Sequence, residues 1–147
     1  MQKTFVMIKP NGVQNGLVGR IISRYESSSL SVCGIKIIHP TQGQVEEFYA
    51  EHSGREFFRP LVDFMSSGPS AMMVLGGTDA VKAARAINGA TNPEEASPGS
   101  IRYDYAPNTR MNVVHSSDSP ESAKREMLFW FDESEIVDYE ISKTIAT

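Results

Sequence analysis

The chain has 147 residues, a net charge of −4 and a pI of about 5.4, so it fits one domain, 1–147, with a full-sized core. The acidic balance argues against nucleic acid as a partner held by bulk electrostatics. Cys33 is the single cysteine, which excludes an intrachain disulfide and a cysteine metal cage; no apolar run approaches the roughly 18 residues a bilayer requires and the N-terminus carries no signal pattern, so the default reading is a cytoplasmic protein with no membrane partner.

The elements follow in chain order. Thr4 to Lys9 is an apolar run ending at Pro10 and predicts a strand. Asn11-Gly12 and Asn15-Gly16 are turn dipeptides. Leu17, Val18, Ile21, Ile22 and Tyr25 recur at helical spacing and predict a helix that ends in the serine run 27–29. Leu30 to Ile38 reads as a second strand closed by His39-Pro40. Short helices are predicted over Gln44 to Ala50 and Phe57 to Met65, the second broken at Ser66-Ser67-Gly68-Pro69. Ser70 to Leu75 is a third strand, followed by a helix to about Ile87 with Thr78 or Asp79 as its cap. Residues 88–108 carry three prolines and two glycines and read as irregular; a loop that long inside a compact domain is usually functional. Asn112 to His115 is the fourth strand, and Pro120 to about Phe131 the last helix, with Ser119 as cap.

The order β-α-β-αα-β-α-β-α matches the α+β class, in the ferredoxin-like split βαβ pattern: a four-stranded antiparallel sheet with helices packed on one face. The competing topology is a doubly wound parallel sheet. Its usual phosphate loops are missing, since no G-x-x-x-x-G-K-[ST] occurs and Gly12, Gly16 and Gly19 lack G-x-G-x-x-G spacing.

Of the three histidines, His39 reads as a loop residue and His52 as a structural group at a helix end. His115 taken alone also reads as structural. Strand alternation, however, pairs it with Val113 on one face, opposite Asn112 and Val114, at the strand's rim. Ala123, Met127 and Trp130 form the apolar stripe of the last helix, with Glu126 on its border. Helical side chains lean toward the N-terminus, which would bring Glu126 back to the imidazole. A carboxylate on one ring nitrogen fixes the tautomer and leaves the other lone pair as a nucleophile. Lys9, Arg85, Thr91 and Arg102 form an inventory suited to a polyphosphate, though each alone is ordinary surface chemistry. Phe57-Phe58 is either a hydrophobic staple or an exposed ring for a base to stack on. No histidine or cysteine spacing supports a protein-built zinc centre.

The run NVVHSSDS at 112–119 resembles the signature N-x-x-H-[G/A/S]-S-D of nucleoside diphosphate kinases. Further ordered matches are TFVMIKPNGV at 4–13, HSGREFF at 52–58, SGP at 67–69, TNP at 91–93, PGSIR at 98–102 and SAKRE at 122–126. The resemblance implies ping-pong transfer of a γ-phosphoryl group from a nucleoside triphosphate to a nucleoside diphosphate. It implies His115 as the phosphorylated residue, Glu126 on its other nitrogen and Ser117 supporting that glutamate. Lys9 and Tyr49 would lie near the transferring phosphate, and Arg85, Thr91 and Arg102 would clamp the chain of phosphates. Asn112 and Lys9 would meet the ribose, Phe57 would stack on the base above Leu61, and Asp118 would lie close by. Mg2+ would be held mainly by the nucleotide, with no protein metal site. The family also implies a homo-oligomer, a hexamer favoured over a tetramer, with the loop 88–107 like the trimer-forming element of hexamers. The alternative is a catalytically silent nucleotide-binding regulatory module on the same fold. Four departures stand out. Tyr103 replaces a glycine and Ser116 a glycine or alanine, both expected to bear on the pocket rim. Met111 replaces a basic residue and the chain ends at Thr147 without an aromatic tail, both expected to bear on subunit contacts.

Overall fold

A computed structural model describes residues 1–142; the end at Thr147 lies outside the described residues. Four strands, β1 (Gln2–Ile8), β2 (Ser31–Ile38), β3 (Ser70–Gly77) and β4 (Val114–Ser116), form one antiparallel sheet in the order β2-β3-β1-β4. This is the order of the split βαβ pattern read from the sequence. Among the described residues the α-helices are α1 (Pro10–Gln14), α2 (Val18–Ser27), α3 (Gln42–Phe48), α4 (Phe58–Met65), α5 (Ala80–Asn88), α6 (Ile101–Tyr105) and α7 (Pro120–Trp130).

The helices cover both faces of the sheet, which corrects the expectation of one covered face. In β1, Val6 and Ile8 point to a cluster built with Ile21 and Tyr25 of α2, Ala80 and Ala84 of α5, and Ile101 of α6. Phe5 and Met7 alternate to the opposite side, against Val45 and Phe48 of α3, Val62 and Met65 of α4, and Trp130 of α7. The crossovers α2 and α5 take one face. The α3–α4 insertion and the C-terminal helix fill the other. Burial on both faces explains why β1 and β3 read as continuous apolar runs instead of alternating ones.

Three local departures shape the site. Pro10 opens α1 directly after Lys9, whose carbonyl accepts from the backbone N–H groups of Gly12 and Val13, so the Asn11-Gly12 dipeptide lies in a helix and not a turn. The stretch 88–108 contains a 3-10 turn, Pro93–Glu95, and α6, capped by the Ser100 side chain. The last strand is Val114–Ser116, shifted from the expected Asn112–His115, because Val113 adopts φ +76°. A β-branched residue there is strained by about 1–3 kcal/mol, a feature concentrated at functional sites. The turn at Val113 presents its carbonyl to the Lys9 N–H at 2.7 Å and breaks the predicted alternation: Val113 and Val114 both enter the first cluster.

Candidate active site

His115 sits on the edge strand β4, opposite Met7 of β1, and packs toward the Phe5 and Phe48 rings. Ser119 caps α7 by accepting from the Ser122 N–H, with Pro120 at the first helical position. Starting there, α7 runs back along β1 and buries Glu126 beside the strand. The Nε2–H of His115 donates to Glu126 Oε1 at 2.6 Å, and Ser117 Oγ donates to the same oxygen at 3.0 Å. Ser117 is fully buried and Glu126 is 7% exposed, so the carboxylate is held by two donors away from water. With Nε2 carrying the proton, Nδ1 is the nitrogen with a lone pair.

His115 and Glu126 line a cavity of about 330 Å3 together with Lys9, Tyr49, Arg85 and Thr91. Arg102, Asn112 and Asp118, also predicted from the sequence, line it as well. Ser117 stands behind the wall, acting on Glu126. Phe57 and Leu61 are not part of the lining: Phe57 is an exposed ring at the start of α4, and Leu61 packs into the second cluster. Arg85 and Thr91 are exposed at the mouth, whereas Lys9 and Arg102 are buried.

Arg102 organises the irregular stretch. Its Nη1 donates to Gly89 O at 2.8 Å, Nη2 to Val114 O at 2.6 Å and Nε to Asn112 O at 3.3 Å. These bonds leave one N–H on each terminal nitrogen for a ligand. Burial lowers its pKa from the ordinary arginine value, without bringing neutrality within reach. Lys9 is affected more: burial, with the Arg102 charge second, pushes its ammonium down to about 7. Tyr49 moves the other way. Burial, then the Glu126 charge, raises its phenol well above the usual range. A hydrogen bond with Ser122, assisted by the Arg85 charge, holds Asp118 below the usual carboxylate range.

Two buried polar atoms in the lining lack a protein partner, Tyr49 Oη and Asn112 Oδ1. Such atoms are costly unless a ligand or water satisfies them. Asn112 is oriented by its Nδ2, which donates to Thr91 O at 3.1 Å.

The cavity also contains residues the sequence reading assigned elsewhere or passed over: His52, Phe48, Glu51 and Ser122. Tyr49–His52 spacing was the available signal, because a 3-10 turn over Ala50–His52 eclipses residues three apart. His39 stays on the surface, its Nε2–H donating to Ser66 O. Of the departures, Ser116 is buried in the lining. Tyr103 and Met111 are exposed outside it, so the expectation that Tyr103 shapes the rim is not met by its position.

Comparison with known proteins adds three findings. The family model described as nucleoside diphosphate kinase matches residues 2–136. Nucleoside diphosphate kinase from Methanosarcina mazei is 50% identical over 139 residues, 95% of this chain and 93% of that protein; the one from Halalkalibacterium halodurans is 49% identical over 140 residues, 95% of each. Among solved structures, a nucleoside diphosphate kinase family protein from Babesia bovis superposes with a TM-score of 0.91 at 41% identity, covering 97% of this chain and 96% of that one. A halophilic nucleoside diphosphate kinase from Halobacterium salinarum, in complex with CDP, gives 0.91 at 41% identity, over 94% and 92%.

Proposed function

The chain belongs to the nucleoside diphosphate kinase family and is an enzyme of that kind, and from that premise we propose that it transfers the phosphoryl group through His115 in a ping-pong cycle. The carrying observation is the Ser117–Glu126–His115 chain of hydrogen bonds at a cavity that holds Lys9, Arg85 and Arg102.

In the first half-reaction Nδ1 attacks the γ-phosphorus of a nucleoside triphosphate. The bond to the β–γ bridging oxygen breaks, its electron pair leaves with the diphosphate, and an N–P bond forms. Glu126 keeps the proton on Nε2 and stabilises the positive charge that develops on the ring. In the second half the terminal oxygen of an acceptor nucleoside diphosphate attacks phosphorus, and the N–P electron pair returns to Nδ1. Phosphoryl transfer depends chiefly on alignment and charge neutralisation. We assign these to Arg85, Thr91, Arg102 and Lys9 on the phosphates, with Tyr49 beside the transferring group. Asn112 Oδ1, buried and unpartnered, suits a ribose hydroxyl, which Lys9 also reaches. Phe57 supplies a stacking face for the base, with Leu61 beneath it. Stacking leaves the hydrogen-bonding edge of the base unread, which allows purine and pyrimidine nucleotides alike.

Mg2+ would enter as part of the metal–nucleotide substrate and would supply neutralisation of the phosphate charge. The donor set fits this: Asp118 and Glu51 line the cavity, and Asp118 is held ionised, while such an ion needs one or two carboxylates at most. The reading treats 1–147 as one cytoplasmic domain that assembles as a homo-oligomer, a hexamer in preference to a tetramer. Exposed apolar side chains at Ile35 and Ile37 of β2 and at Tyr103 of α6 support assembly. Among the described residues no helix is long and apolar enough to cross a membrane.

Incubation with γ-labelled ATP is expected to give an acid-labile, base-stable phosphoenzyme that His115→Ala does not form. Label retained in that variant, or absent from the wild type, overturns the assignment.

A further inference from the structure

The cleft has an aromatic wall in which one ring, His52, has no role among those above. Ring centroids run from His115 to Tyr49 at 6.2 Å, from Tyr49 to His52 at 6.4 Å, and from His52 to Phe57 at 5.3 Å, the last pair inclined at 57°. These separations fall in the range aromatic pairs favour. Backbone geometry imposes the order. The His52 N–H donates to Tyr49 O at 2.9 Å in the 3-10 turn, which stacks side chains three apart. The chain then reverses, with the Arg55 N–H donating to His52 O and the Phe58 N–H to Arg55 O, bringing Phe57 back to the His52 ring. Phe57 is 41% exposed at the start of α4, while Phe58 and Leu61 turn into the second cluster. An exposed ring of this kind has rotamer freedom that a nucleobase would have to freeze. His52 stands where it removes that freedom, and it also lines the phosphate cavity from which Phe57 is missing.

We propose that His52 is a positioning residue for nucleobase binding: its ring joins the wall that begins at Tyr49 to the Phe57 ring and fixes the stacking platform relative to the phosphates. This rests on the reading of Phe57 as the base-stacking ring. Holding the platform contributes equally to ground and transition states, so losing it raises KM and leaves kcat unchanged.

The test measures phosphoryl transfer by wild type, His52→Ala, His52→Phe and Phe57→Ala, with ATP and with ribose 5′-triphosphate, which has no base. His52→Ala is expected to lower kcat/KM for ATP about three- to ten-fold, the size of a lost ring contact, with kcat retained. His52→Phe restores most of that loss, and transfer from ribose 5′-triphosphate is the same in all four proteins. A His52→Ala enzyme equal to wild type while Phe57→Ala is impaired overturns the proposal and leaves the stacking reading standing. Phe57→Ala equal to wild type overturns the stacking reading itself. An equal loss by His52→Ala on the baseless donor places its effect on the phosphates or the fold, which also overturns the proposal.

Discussion

Lys9 shows how one residue is tuned by where its element ends. It leaves β1 and stands at the N-terminus of α1 in a buried position, where burial and then the Arg102 charge push its ammonium down to about 7 from the ordinary 10.5. Because the folded value is depressed, the unfolded chain binds more protons between those two values. Lys9's contribution therefore makes the free protein more stable as pH rises from about 7 toward 10. A bound polyphosphate reverses the balance by favouring the charged form. Nucleotide binding at pH 8 is accordingly expected to take up a proton, and affinity to fall as pH rises above about 7. Calorimetry in buffers of different ionisation enthalpy measures the uptake; its persistence in Lys9→Met would assign the proton to another group. At the same scale the sequence offered His115, Glu126 and Arg102 as residue types suited to the chemistry, and the family resemblance gave them their expected roles. The sequence could not reveal that Arg102 gives its Nε and half of each terminal nitrogen to backbone carbonyls of Gly89, Asn112 and Val114. Those bonds join positions far apart in spacing and depend on a loop path that no local pattern encodes.

Among the elements, the stretch between α5 and β4 is where local signals and tertiary constraints part. Gly89 ends α5 at φ +85°, and a Cβ there would meet Ser100 Oγ, the cap of α6. Gly16 also has a positive φ, +70°, but a Cβ there has open space. Gly16→Ala is expected to cost about 1 kcal/mol, the left-handed penalty alone, with nucleotide KM unchanged. Gly89→Ala adds the steric conflict, about 1–3 kcal/mol more, and displaces the carbonyl that holds Arg102, so KM rises as well. Thermal unfolding and steady-state kinetics on the two variants separate these effects, and equal KM values would remove the loop from the phosphate site. The N-terminus of α5 carries a related lesson. Asp79 takes the cap position as its residue type suggests, but at φ +47° and without a side-chain bond. Gln2 Oε1 accepts from the Val81 N–H in its stead, a partner 79 residues away that no capping rule anticipates.

For the whole molecule, the two-sided sheet determines what surface remains for assembly. With α2 and α5 on one face and α3, α4 and α7 on the other, exposed apolar side chains remain on the edge strand β2 (Ile35, Ile37), on α6 (Tyr103) and on the outer side of α7 (Leu128). Sedimentation equilibrium is expected to give six times the 16.2 kDa chain mass; a fourfold mass would select the tetramer, and a monomer would refute assembly. Legible in the residues were the class of fold, the order of the four strands with helices α2, α3, α4, α5 and α7 between and after them, and the chemical inventory of the site; α1 and α6 were not. The legible features follow from short-range periodicity, caps and residue types, which act within a few positions. The tertiary structure alone decided that both sheet faces are covered, that β4 begins only after the strained Val113, and that His52 joins the cavity. Each depends on contacts between segments distant along the chain, where packing overrides local preference.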